Sequence, residues 1–233
     1  MQNTTLQKFK TATEAFEFWY AELENQAYTG FKDNSRDGEV VGEILNAITV
    51  ITDPTQGIIQ SKIRKMPMRY ALGELLWYLS GSNKLADISN YSTAWDRLSD
   101  DGETCNSAYG YMIRHAFGFD QWEYVKNKLH ANPNDRQAVI HIKDPQNKSK
   151  KDVQCTVSLQ FMVRHDMLFM TTYMRSNDIW TGFPYDVFSF TALQVLMAME
   201  LGVGIGEYTH IAASLHLYGR NWNISHKEEN NEA

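Results

Sequence analysis

Residues 153–173, VQCTVSLQFMVRHDMLFMTTY, decide how this chain folds. They read as two strands, Val153–Val163 and Met167–Tyr173, rich in β-branched and aromatic residues. A third strand, Ala138–Ile142, precedes them, and the basic stretch Asp144–Asp152 (DPQNKSKKD) reads as a solvated connection. Cys155 falls inside the first of the two strands. A lone cysteine in a strand is usually a small buried hydrophobe, so on its own it does not mark a nucleophile.

Outward from this segment, residues 186–201 are almost continuously apolar, as expected of a centrally buried helix, and Glu207–Leu217 reads as a last strand. Toward the N-terminus, residues 11–27 form an amphipathic helix, with Thr11 or Thr13 as cap and Ala12, Phe16, Trp19, Tyr20 and Leu23 on its apolar face. A polar loop, Phe31–Glu39, carries Arg36, and Glu43–Ile51 reads as a strand. Residues 67–80 are a strong helix, with Tyr70, Leu72, Leu75, Leu76 and Leu79 assigned to its apolar side. Residues 81–118 read as irregular, and Gln121–His130 as a helix. No repeat or linker-like stretch interrupts this order. The fold class expected is α+β, a mixed sheet with packed helices in one domain spanning 1–233.

Composition narrows the function classes. The chain has 233 residues, 43% hydrophobic and 12% aromatic, which excludes disordered and low-complexity classes. Its net charge of −6 argues against a nucleic-acid coat or a binder of anionic membranes, while leaving room for a local basic pocket. Two cysteines, Cys105 and Cys155, exclude a disulfide scaffold and a Cys-rich zinc module. MQNTTLQKFK has no apolar signal segment and the longest apolar runs fall far short of a membrane span, so a cytoplasmic protein is expected.

Taken singly, the polar candidates all have plain readings. The seven histidines include no HExxH pair, and His210 and His216 stand too far apart on one strand for a shared metal, so no metal site is expected. Gly202-Val-Gly204-Ile-Gly206 follows a helix, so it reads as a helix stop, not a dinucleotide loop. Arg175 at a strand end suits either a phosphate or the surface, and Asp186 suits a helix N-cap. Glu74 lies on a largely apolar helix, where a carboxylate needs a partner or a raised pKa.

Their order along the chain is more specific. Gly73-Glu-Leu-Leu-Trp-Tyr-Leu-Ser-Gly81, Ala94-Trp-Asp96, Ala108-Tyr-Gly110, Pro133-Asn-Asp-Arg136, Cys155 with Gln160-Phe161, Arg175-Ser-Asn-Asp178, Gly182-Phe-Pro-Tyr-Asp186 and His216-Leu-Tyr218 occur in sequence. This set resembles the thymidylate synthase superfamily from about Arg36 to Tyr218. The resemblance implies a homodimer packed sheet to sheet and a pyrimidine nucleoside monophosphate substrate, with 5,10-methylenetetrahydrofolate as co-substrate. It implies that Cys155 adds to C6 of the pyrimidine and that Glu74 organises waters and protons, with Tyr109 near the cysteine. Arg36, Arg175 and Ser176 match phosphate-binding positions, and Arg136 matches one delivered by the partner subunit. His216 and Tyr218 match the pair on the sugar hydroxyl, and Trp95 and Asp178 match folate-facing positions.

Departures from the synthase pattern carry the finer expectations. Asp186 stands where synthases have the asparagine that reads uracil, and a carboxylate suits the 4-amino donor of cytosine. Cys155-Thr156, Met174-Arg-Ser-Asn-Asp178 and Asn106-Ser-Ala-Tyr-Gly110 likewise resemble the cytidylate hydroxymethyltransferase branch, acting on CMP or dCMP. Only 15 residues follow Tyr218, which suggests a site open to water as the final reactant and so a 5-hydroxymethyl product. Gln137 replaces a usual second arginine, leaving ribose against deoxyribose open. The competing readings are a thymidylate synthase or dCMP methylase, and a catalytically inactive nucleotide- or RNA-binding relative.

Overall fold

The computed structural model of the chain describes residues 5–26, 31–32, 40–147, 149 and 151–222. It divides into two compact units, each assembled from separate stretches of sequence. One comprises residues up to Met66, Met174–Ala192 and Glu207 onward; the other comprises Pro67–Tyr173 and Leu193–Gly206. Parallel and antiparallel pairing occur together, as the α+β reading requires.

In the first unit, β1 (Thr5–Phe9) runs parallel to β3 (Val40–Ile51), and the short β2 (Phe31–Lys32) runs antiparallel to it. β3 also pairs antiparallel with β8 (Gly204–Tyr218) from Val41↔Tyr218 to Ile51↔Tyr208. The two-residue β7 (Asn177–Asp178) lies parallel on β8, opposite Leu215 and His216. Helix α1 (Ala12–Gln26) buries the expected face: Ala12, Phe16, Trp19, Tyr20 and Leu23 are all inaccessible. Its start is a capping box: Thr11 Oγ1 accepts from the Glu14 N–H, and Glu14 Oε2 accepts from the Thr11 N–H. Thr13, the other cap candidate, instead ties the helix to the chain at Ile58 and Gln60. The buried Trp19 indole donates to Thr49 Oγ1 at 2.8 Å, which fixes α1 on β3.

In the second unit, β4 (Val139–His141), β5 (Thr156–Arg164) and β6 (Met167–Met174) are neighbours, the first two antiparallel. Helix α2 (Met68–Ser80) is followed by α3 (Leu85–Ser89), α4 (Ala94–Leu98), α5 (Tyr109–Arg114) and α6 (Gln121–Ala131). Three of these occupy the span expected to be irregular. Each is too short to show a hydrophobic period, which is why the pattern misses them. α6 starts on an Asp120 cap and lays Trp122 edge-on against Phe161 of β5.

Helix α2 corrects the assigned face. Leu72, Leu76 and Leu79 are exposed, while Ala71, Gly73, Glu74, Trp77 and Tyr78 are buried. Small residues mark the packed side: a Cβ at Gly73 would lie 2.3 Å from the Tyr91 ring, so only glycine lets α2 come this close. Helix α7 (Phe183–Leu201) begins three residues before the expected start, with Pro184 at its second position, where a missing N–H costs nothing. Gly202, with φ of +69°, ends it as expected, but Gly204 and Gly206 belong to β8, not to a turn. Among the described residues no helix is long and apolar enough to cross a membrane.

Candidate active site

Cys155 is half-buried and lies just outside its strand, because β5 begins at Thr156. The Thr156 N–H has a side-chain partner, donating to the Tyr109 hydroxyl at 3.3 Å. Tyr109 opens α5, and Gly110 behind it permits the approach: a Cβ there would sit 2.1 Å from the Tyr78 carbonyl oxygen. Tyr78 and Tyr109 then pack with ring centres 5.3 Å apart.

Two of the three residues before Cys155 are tied to the loop before Tyr109. Asp152 Oδ2 accepts from the Ser107 N–H at 2.7 Å, and Gln154 Nε2 donates to the Asn106 carbonyl at 2.6 Å. Asn147 donates to Gln154 Oε1 in turn. Asp152 and Gln154 are buried, and the sequence alone does not single them out. A polar pair just before the cysteine, in an otherwise strand-like run, is the available signal. Cys105 is buried on the same loop, and burial, then the nearby Asp152, Asp101 and Asp96 charges, push its thiol up to about 12. That environment makes it inert.

Glu74 stands on the buried side of α2, one turn after Tyr70. The Tyr70 hydroxyl donates to Glu74 Oε1 at 2.6 Å and accepts from the Trp95 indole at 3.1 Å. Trp95 also meets Trp77 edge-on at 5.1 Å. Burial raises the Glu74 carboxyl to about 7, against the lowering effect of the Tyr70 bond. A carboxyl poised there takes up or releases a proton near neutral pH. The sequence places Tyr70 only on an apolar face; its i,i+4 spacing to Glu74 is the sign of this bond. Arg136 is exposed on the turn before β4, and its carbonyl accepts from Gln160 Nε2. Gln137 beside it accepts from Lys128.

The first unit holds the remaining candidates. Arg175 is exposed immediately after β6, and Ser176 Oγ lies 3.5 Å from His216 Nδ1. His216 and Tyr218 share a face of β8, with rings edge-to-face at 5.1 Å, and the Arg220 guanidinium covers Tyr218. Asp178 accepts from the Trp180 and Thr181 N–H groups, shaping the turn into α7. Asp186 is not the α7 cap. It lies inside the first turn, its N–H donates to the Gly182 carbonyl, and its Oδ2 accepts from Asn177 Nδ2 at 2.7 Å. Arg36 lies outside the described residues.

Thus Glu74 and Trp95 meet through Tyr70, Tyr109 reaches the backbone beside Cys155, and Ser176, His216 and Tyr218 form one cluster. Among the described residues, no group of three His, Cys, Asp or Glu is arranged to hold a metal ion.

The thymidylate synthase family model matches residues 20–231, and the chain belongs to that family. Among curated proteins it is similar to the deoxyuridylate hydroxymethyltransferase of Bacillus phage SP01, with 32% identity over 196 residues. The match covers 78% of this chain and 51% of that protein, so the chain spans about half the length of the relative.

Proposed function

We propose that this protein is a one-carbon transferase on a pyrimidine nucleoside monophosphate, specifically a cytidylate 5-hydroxymethyltransferase using 5,10-methylenetetrahydrofolate. The observation that carries the base assignment is Asp186. Its carboxylate sits inside the first turn of α7, accepting a hydrogen bond from Asn177, where capping would have been the plain explanation. An ionised carboxylate only accepts, which matches the 4-amino group of cytosine and opposes the 4-oxo group of uracil.

In this reading the Cys155 thiolate adds to C6 of CMP or dCMP, and the C5 carbon so activated attacks the folate methylene. Loss of the C5 proton expels tetrahydrofolate and leaves an exocyclic methylene. Water adds to that carbon, and expulsion of Cys155 restores the ring. Glu74, with a carboxyl near 7, handles the protons through Tyr70-organised surroundings. Arg36, Arg175 and Ser176 hold the phosphate, joined by Arg136 from a second copy in a homodimer. His216 and Tyr218 hold the sugar hydroxyl, while Trp95 and Asp178 face the folate. The whole chain acts as one catalytic domain.

A second reading, a deoxyuridylate hydroxymethyltransferase, is favoured by the name of the phage relative. One experiment separates them: supply methylenetetrahydrofolate with CMP, dCMP, UMP or dUMP in turn and weigh the products. Hydroxymethylated cytidylate supports the first reading. Turnover of uridylates alone overturns it, and a product lacking the added oxygen makes the protein a methylase. Binding without turnover in all four would indicate a nucleotide-binding relative.

A further inference from the structure

Asp186 is the outer end of a buried chain of hydrogen bonds that neither the thiol chemistry nor phosphate binding accounts for. Tyr208 Oη lies 2.9 Å from His210 Nδ1, His210 Nε2 lies 3.0 Å from Asn177 Oδ1, and Asn177 Nδ2 lies 2.7 Å from Asp186 Oδ2. Tyr208, His210 and Asn177 are at most 3% exposed, whereas Asp186 is partly accessible. The chain therefore leads from the core to a single reachable carboxylate.

Resting on the cytidylate reading, we propose that Asn177 and His210 are positioning residues that fix Asp186 as an acceptor and thereby set the preference for a 4-amino over a 4-oxo pyrimidine. The polarity follows from donor arithmetic. A carboxylate has no hydrogen to give, so the Asn177 amide must turn its NH2 toward Asp186 and its oxygen toward His210. His210 must then carry its hydrogen on Nε2. Its Nδ1 is left as an acceptor, and Tyr208 must donate to it. Each group has one orientation, and every orientation follows from the next.

The surroundings hold this polarity in place. Burial lowers His210 to about 3, so the imidazole is neutral and has one hydrogen to place. Phe183 packs edge-on against the imidazole at 5.3 Å. Gly182 leaves the space in which Asn177 and Asp186 meet: a Cβ there would lie 2.8 Å from Asn177 Nδ2 and 3.2 Å from Asp186 Oδ2. If the amide were free to turn over, it would present its oxygen to Asp186, where two acceptors repel each other and the carboxylate loses the contact that holds it in place. Loss of the lock therefore lets the acceptor wander and lowers the preference for a 4-amino group over a 4-oxo group.

The test compares kcat/KM for cytidylate and uridylate across four proteins. Asn177→Ala and His210→Phe are expected to lower the cytidylate-to-uridylate ratio by about tenfold or more, the scale of a hydrogen bond to a charged group. His210→Gln, which keeps an N–H at similar reach, is expected to retain more of the ratio than His210→Phe. An unchanged ratio in Asn177→Ala with a wild-type melting temperature overturns the inference while leaving the cytidylate reading intact. A wild-type protein that takes uridylate alone overturns both. Should the variants fail to fold, ¹⁵N NMR of the wild-type imidazoles decides. A neutral Nε2–H form for the buried histidine at pH 7 supports the lock, and an Nδ1–H form or an imidazolium overturns it.

Discussion

The Tyr70 hydroxyl donates to Glu74 Oε1 at 2.6 Å across one turn of α2, and it is the contact that opposes burial in setting the carboxyl's proton affinity. Removing it in Tyr70→Phe takes away a stabiliser of the charged form, so the carboxyl should titrate higher still. Carboxyl ¹³C shifts followed against pH should place Glu74 near 7 in the parent and above that in the variant. An identical midpoint in both would show that Tyr70 does not tune it.

Glu74 also links stability to pH. Its folded value is raised from 4.5 to about 7, so the unfolded chain ionises first. The carboxyl's contribution is fully present below 4.5 and is lost as pH rises through 7, a change of about 3 kcal/mol for a shift of that size. Urea unfolding at pH 4.5 and pH 8 should show Glu74→Gln gaining on the parent as pH rises. A constant difference would contradict the buried, protonated carboxyl.

His210 slopes the other way. Burial depresses it from 6.5 to about 3, so its stabilising contribution is complete above 6.5 and is lost as pH falls toward 3. The parent should therefore weaken relative to His210→Phe between pH 6.5 and pH 4 in the same unfolding measurement. Parallel curves would mean that the imidazole is solvated.

The two thiols should part in their reactivity. Cys155 is half-buried, and Cys105 is buried with its thiol pushed up to about 12. Iodoacetamide at pH 8, read by peptide mass, should label Cys155 and spare Cys105 until the chain is unfolded. Cytidylate should slow the labelling of Cys155. Labelling of Cys105 first would reverse the assignment.

Gly110→Ala tests the seat of Tyr109. The added Cβ would meet the Tyr78 carbonyl oxygen at 2.1 Å, so α5 must shift, at a cost of about 1–3 kcal/mol. Turnover should fall more than the melting temperature alone explains, because Tyr109 moves away from the Thr156 N–H. Full activity at a lowered melting temperature would detach Tyr109 from the chemistry.

Much of the architecture was readable because it is periodic. The α1 face and the long apolar helix were visible as patterns, and the strands around Cys155 were found with their ends shifted by a few residues. What escaped depends on contacts distant in sequence. At the start of β5, the Thr156 N–H is taken by a phenol 47 residues away. Glu74 is buried because Ala71 and Gly73, not the leucines, line the packed side of α2. The Asn177–His210 link spans 33 residues and leaves no periodic trace. The motifs located the candidate residues, but they did not reveal the supporting bonds.

The two rungs joining Asn177 to Leu215 and Asp178 to His216 act as a ruler. They set, at one fixed spacing, the residues assigned to the phosphate beside those assigned to the sugar hydroxyl. Under the proposed assignments, the distance from phosphate to sugar hydroxyl is set by the same two peptide pairs, with backbone rather than with side chains. A substitution that loosens β7 would blur that spacing at both ends together and, because Asn177 also holds Asp186, would disturb the reading of the base with it.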